Sequence, residues 1–260
     1  MVSTDFSEDE HTVGETPAGW SALWGDEDAF EIADEPRRVV HANTTQDFEL
    51  LTLDAAGEVN YETDAEVAGL LRVPAESNPQ GYNSRFQLHL QASGEPGEYA
   101  FYTDATGASV RLNRYREGNW IQRGTSADYA IQPDIWYQVV THRQEDVWRT
   151  KVWPYGEAEP DEWMVETDVT DNDGDLPPGL PGIGQVASDS VNEWAWFSAA
   201  TGDAQGLAHP DHCVGPQIVR RDHCGDRDVV LPGQVPHRVA GAHRVATRGR
   251  TGSGRRTGAA

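Results

Sequence analysis

Between Ala29 and Ala199 the chain alternates in hydrophobicity at every second residue, in short runs broken by clusters of Gly, Asn, Asp and Pro. The breaks recur at roughly 8–12 residues, a spacing that belongs to sandwiches and barrels. Period two sends successive side chains to opposite faces of a strand, so each run offers one face to a core and one to solvent. Candidate strands fall at 29–33, 38–42, 48–54, 65–73, 84–92, 98–104, 109–115, 119–124, 136–143, 147–153, 162–167, 182–187 and 192–199. No helical periodicity separates them. Parallel neighbours need long crossovers, so the pairing is expected to be antiparallel. The expected fold is all-β, a two-sheet antiparallel jelly-roll sandwich.

The hairpin after Asp134 shows how the faces divide. Tyr137, Val139 and Thr141 share one face of its first strand, and Trp148, Thr150 and Val152 share one face of its second. These are expected to be core. Trp153 lies on the other, polar face beside "PYGE", where with Tyr155 and Trp163 it is expected to form an exposed aromatic rim. "WYQVV", the short turn and "WRTKVWPYGEAEPDEW" resemble the central hairpin of the LamG-like modules among the concanavalin A-like lectin and glucanase jelly rolls. "GWSALWG", "GLPGIG" and "VNEWAWFSAATG" fit the opening and closing strands of the same module, and the resemblance spans Phe6 to Gly202. It implies two curved antiparallel sheets, glycan or protein ligands, and an extracellular or surface-associated setting. The module is also expected to belong to a larger multidomain or virion-type protein. The family shares no catalytic signature.

The formal charge of −23 is unevenly placed. Residues 207–260 hold 4 acidic and 9 basic residues, leaving 39 acidic and 11 basic for residues 1–206. An acidic body of this kind repels phosphate, which argues against nucleic acid and anionic membrane as partners. Carboxylates on every loop, with a single lysine (Lys151) among the basic residues, fit a salt-adapted, haloarchaeal type. At about 1 M salt the screening length falls to about 3 Å and self-repulsion is suppressed. The N-terminal "MVSTDFSEDE" shows neither the basic nor the apolar part of a signal peptide. No run is long enough to span a bilayer, so no membrane insertion is expected.

A polar stripe carries the main functional expectation. In "SRFQLHLQA" Phe86, Leu88 and Leu90 point one way and Arg85, Gln87, His89 and Gln91 the other; "SVRLNRY" opposes Val110 and Leu112 to Arg111, Asn113 and Tyr115. With "EYAFYTD" between them the two stripes should share a sheet face. Amides, guanidinium forks and a phenol are the donors and acceptors that sugar hydroxyls require. Ligand binding is therefore assigned to Arg85, Gln87, His89, Arg111, Asn113, Tyr115 and Trp153, in a non-catalytic recognition module for glycan or polysaccharide.

Two alternatives stand beside it. Glucanases of this fold use Glu-x-Asp-x-Glu on a strand, where period two aims three carboxylates into one cleft. "ETDAE" supplies Glu62, Asp64 and Glu66, although the strand is expected to begin only near Ala65. The other alternative is a structural assembly domain that pairs through its sheet edges. No cofactor is implied. "DVTDNDGDLPPG" offers Asp168, Asp171, Asp173 and Asp175 as oxygen ligands for Ca2+, but an EF-hand count from Asp171 puts Leu176 sixth and Gly182 twelfth. An acidic turn is the simpler explanation.

Beyond Gly206 the composition changes. Residues 207–260 lack Phe, Tyr and Trp yet hold both cysteines, five of the nine histidines and nine arginines. "HPDHC" and "RDHC" lack zinc-finger spacing. The domain is therefore placed at 1–206, and 207–260 is expected to be a disordered basic tail, of the composition a frameshift in GC-rich coding sequence produces.

Overall fold

The computed structural model describes residues 2–6, 10–34, 38–41, 49–56, 58–59, 64–75, 85–94, 99–126, 128–144, 147–168, 178–185 and 191–201. Among them are fifteen strands, one short 3-10 turn at Glu27–Ala29 and no α-helix. The tail after Gly206 lies outside the described residues.

The strands are β1 (Val2–Asp5), β2 (Trp20–Trp24), β3 (Phe30–Ala33), β4 (Arg38–His41) and β5 (Glu49–Leu53). Then come β6 (Ala65–Arg72), β7 (Arg85–Ser93), β8 (Tyr99–Thr106), β9 (Val110–Arg116) and β10 (Asn119–Ser126). Last are β11 (Tyr137–Gln144), β12 (Val147–Pro154), β13 (Val165–Asp168), β14 (Leu180–Gln185) and β15 (Asn192–Thr201). They form an eight-stranded sheet ordered β13-β12-β11-β6-β15-β4-β3, in which β1 pairs with β15 beside β4. The seven-stranded sheet runs β10-β9-β8-β7-β14-β5-β2. All named pairs are antiparallel, as an all-β chain without crossover helices requires.

Each expected strand between 29 and 199 has its counterpart, and most bounds agree within two residues. The exception is 162–167, where pairing starts only at Val165. Trp163 there sits over two cationic side chains instead of joining the ladder. β1 was not expected, and β2 was legible only as "GWSALWG". Glu117 and Gly118 join β9 to β10 with φ of 47° and 80°, the paired positive values of a two-residue turn whose twist matches the strands.

The core lies between the sheets. Trp20, Leu51, Leu88, Leu112 and Ile183 from one sheet meet Val67, Leu71, Val139, Trp148 and Trp194 from the other, all buried. The hairpin division holds: Tyr137, Val139, Trp148 and Val152 belong to this core. Hydroxyls inside it are satisfied in a chain, with Thr103 Oγ1 2.5 Å from Thr141 Oγ1 and 2.9 Å from Thr150 Oγ1, which donates to the Val140 carbonyl. "GLPGIG" acquires a steric reason. A Cβ on Gly182 would run into the Leu51 carbonyl of β5, and one on Gly179 into the backbone of Ala92 in β7. Pro181, which has no N–H, falls where the β14–β7 register slips, a tolerated place for proline inside a sheet.

Candidate functional site

The outer face of the seven-stranded sheet gathers the stripe into cross-strand rows. His89 of β7 pairs with Tyr102 of β8, which pairs with Asn113 of β9, which pairs with Gln122 of β10. Beside it run Gln87, Asp104, Arg111 and Thr125. Tyr115 stands opposite Ala100 in the row beyond. The two stripes therefore share one face except at Gln91, which the β7 bulge turns toward the core, where it accepts from Arg143 Nη1 at 3.1 Å.

Beneath this face is a small second apolar cluster, separate from the core, of Trp24, Leu50, Ala92, Ala100 and Tyr102, with Leu23 and Tyr115 packed against it. His89 is enclosed there. Its ring stacks on Tyr102 at 4.8 Å and meets the edge of Trp24 at 6.2 Å, and a Cβ on Gly184 would come within 3.0 Å of its Nε2. Burial pushes its pKa down to about 3, because desolvation penalises the charged ring. His89 is thus neutral at ordinary pH.

Asn113 is fully buried and donates Nδ2 to Asp104 Oδ2 at 3.3 Å, while its Oδ1 has no hydrogen-bond partner. Arg111 is half-buried and donates Nε to Ser109 Oγ at 2.8 Å, a bond that uses neither terminal nitrogen of its fork. Gln122 and Thr125 on the edge strand are exposed. Among the described strand residues on this outer face, Asp104 is the one carboxylate, and it is buried.

The remaining sequence-assigned residues separate. Arg85 and Gln87 lie on β7 in the expected register, with side chains outside the described residues. Trp153 corrects an expectation. It is on the outer face of the other sheet and is 4% exposed, the end of a buried cross-strand row through Gln138, Leu70 and Trp196. Segment 155–164 folds back beside it, held by Lys151 Nζ, 2.6 Å from Glu159 and 3.0 Å from the Pro160 carbonyl. Trp153 therefore forms no exposed rim, and it cannot share a site with Arg111 across the thickness of two sheets.

Of the glucanase-type carboxylates, Glu66 points outward on the eight-stranded sheet in a row with His142, Arg149 and Glu166, and Asp64 precedes the strand; Glu62 lies outside the described residues. Arg149 donates to His142 Nδ1 at 2.9 Å, so the neutral ring carries its proton on Nε2. Burial, then the Arg149 charge, push the His142 pKa down to about 4. Asp168 is exposed at the end of β13, and Asp171, Asp173 and Asp175 lie outside the described residues. No group of three or more His, Cys, Asp or Glu placed to hold a metal occurs among the described residues. No described helix is long and apolar enough to cross a membrane.

Tyr102 and Asp104 were not assigned in advance, although alternation in "EYAFYTD" places both on the face of the stripe. Trp24 gave no such signal, since its place depends on the non-local path β7-β14-β5-β2.

No family model matches the chain, and no curated protein matches it in sequence. Solved structures do. Peanut lectin in complex with a nine-residue peptide superposes with a TM-score of 0.51 at 8% identity, covering 80% of this chain and 99% of that one. Xylan beta-1,4-xylosidase from Bacillus halodurans C-125 gives 0.48 at 12% identity over 76% of this chain and 38% of that one. The carbohydrate-binding module CBM66 from Bacillus subtilis gives 0.44 at 12% identity over 73% and 96%. At such identity the peanut lectin match establishes the fold alone, a two-sheet antiparallel jelly-roll sandwich.

Proposed function

We propose that the protein is a non-catalytic recognition module that binds glycan or polysaccharide on the outer face of its seven-stranded sheet. The observation that carries this reading is the composition of that face. In a chain with 43 acidic residues, its described strands present one carboxylate, buried, among amides, hydroxyls, a guanidinium and aromatic rings. Arg111, Tyr115, Gln122 and Thr125 are the groups within reach of a ligand; Gln87 occupies the Arg111 row, and Arg85 lies opposite Thr106 in the row beyond it. His89 and Asn113 act beneath them, holding β7, β8 and β9 in register. Tyr115 supplies the apolar ring face for stacking on a sugar. The acidic remainder of the surface is an adaptation to high salt, where screening removes its self-repulsion.

Retention of the full chain on a panel of polysaccharides in high salt tests this, beside Tyr115→Ala and Arg111→Ala variants. The expected result is retention by the native chain and its loss in folded Tyr115→Ala. Retention that survives both substitutions places the site elsewhere, and no retention on any glycan overturns the reading. The hydrolase alternative, which would use Glu66 on the opposite sheet, predicts sugar release abolished by Glu66→Gln.

A further inference from the structure

We infer that the glycan held by this face carries a carboxylate, a uronate unit, and that Arg111 selects it; the inference rests on the glycan reading above. Among the described arginines, Arg38 and Arg72 share the Glu193 carboxylate, and Arg116 lies 4.0 Å from Glu117. Arg111 has no carboxylate among the described residues within ion-pair distance. Its one hydrogen bond among the described residues, from Nε to Ser109, is to a neutral oxygen and fixes the side chain without using the two terminal nitrogens. Those nitrogens form the flat fork that matches a carboxylate with two parallel bonds.

The comparison with Arg149 shows why location matters. Arg149 also donates only to neutral groups, His142 and Gln144. However, its cross-strand row has Glu166 directly beside it and Glu66 beyond His142, so an incoming anion would meet two carboxylates. The Arg111 row contains Asp104, which Asn113 engages below the surface, and ends at the Thr125 hydroxyl. A half-buried guanidinium on an acid-poor face, in a chain of net charge −23, is a place where one anionic group gains a contact partner. The long-range field of the whole chain opposes a polyanion. At about 1 M salt that field is cut to about 3 Å, the length of the contact itself, so the selectivity is to be sought there.

The test is isothermal titration of the full chain in about 1 M sodium chloride with polygalacturonate, its carboxyl-reduced neutral form and a sulfated neutral polysaccharide. Polygalacturonate should bind roughly ten- to a hundredfold tighter than the reduced form, the range of a hydrogen-bonded charged pair. Arg111→Gln should erase that preference, so that the variant binds polygalacturonate and its reduced form equally. Arg111→Lys should restore only part of it, since an ammonium is a point charge and no fork. Arg116→Gln, on the same strand but the opposite face, controls for net charge and should change nothing; an equal loss there overturns the assignment. Equal binding of the acidic and reduced polymers overturns the uronate inference while the glycan reading stands, provided Tyr115→Ala abolishes both. Tighter binding of the sulfated polymer overturns the carboxylate assignment. Binding of none of the three, where the polysaccharide panel has also failed, overturns inference and reading together.

Discussion

His89 makes the stability of the sandwich depend on pH in a way a single substitution can isolate. Its ring is fully buried against Tyr102 and Trp24, and its pKa falls from 6.5 to about 3. Between those values the unfolded chain binds one more proton than the folded chain. Stability therefore rises with pH across this window: it is fully present above 6.5 and is lost as pH falls toward 3. At about pH 5 the difference is about 1.5 pH units, or about 2 kcal/mol from this one ring. Most carboxylates are still ionised at that pH, so the background is small. Urea midpoints of the native chain and of His89→Leu, taken at about pH 7 and about pH 5, should show the native chain losing about 2 kcal/mol more than the variant. His142, whose pKa is also lowered, contributes with the same sign in both chains and cancels. Should leucine prevent folding, His89→Gln removes the same proton with a smaller change of shape. Equal losses in native and variant chains would refute the claim that burial of His89 disfavours its charged form.

Other outcomes follow from particular contacts. Glu193 is buried and receives Arg38 Nε at 2.6 Å and Arg72 from the strand on its other side; Glu193→Gln should cost about 3 kcal/mol in urea unfolding, at the lower end for a broken buried pair because both arginines are partly exposed. Gly182→Ala should destabilise more than Gly156→Ala, since a Cβ at 182 strikes the Leu51 backbone whereas at 156 it meets nothing within 4 Å and only the φ of 88° resists it; thermal midpoints compare the two. Lys151→Met removes the Glu159 ion pair and the cation over Trp163, and should loosen segment 155–164, seen as faster amide exchange there with little change in β11. The salt-adaptation reading predicts that the urea midpoint rises steadily as sodium chloride goes from about 0.1 to about 1 M, where the screening length falls from about 10 to about 3 Å; a flat or falling midpoint would count against it.

The strands were legible because burial on one face imposes period two, and that constraint is written residue by residue. Alternation alone placed Arg111, Asn113 and Tyr115 opposite Val110 and Leu112, and it put His89 on the same face through β8. Exposure was not legible. Whether an outward side chain reaches water depends on what lies over it, and sequence period carries no information about that. Trp153 shows the failure clearly: it points outward, as alternation says, yet it is buried beside segment 155–164 and Lys151. His89 and Asn113 repeat the lesson on the other sheet, where Trp24 arrives from a strand 65 positions earlier than His89. Contacts at such separation are set by sheet order, and the order β7-β14-β5-β2 has no local signal.

The two outer faces have become different surfaces by different means. On the eight-stranded sheet much of the outward layer is closed over. Trp153, Leu70 and Trp196 are buried, the single lysine is spent on Glu159, and Arg149 sits in a row with two glutamates. On the seven-stranded sheet the buried layer of His89, Tyr102, Asp104 and Asn113 is topped by Arg111 and Tyr115, half-exposed groups with neutral neighbours at the β10 edge. Acidic residues are common enough in this chain that a solvated sheet face would be expected to collect several. Their near absence here, together with a guanidinium fixed by one neutral contact, leaves this face with unmet hydrogen-bonding capacity. A ligand rich in hydroxyls and carrying an occasional carboxylate is the chemistry that would meet it.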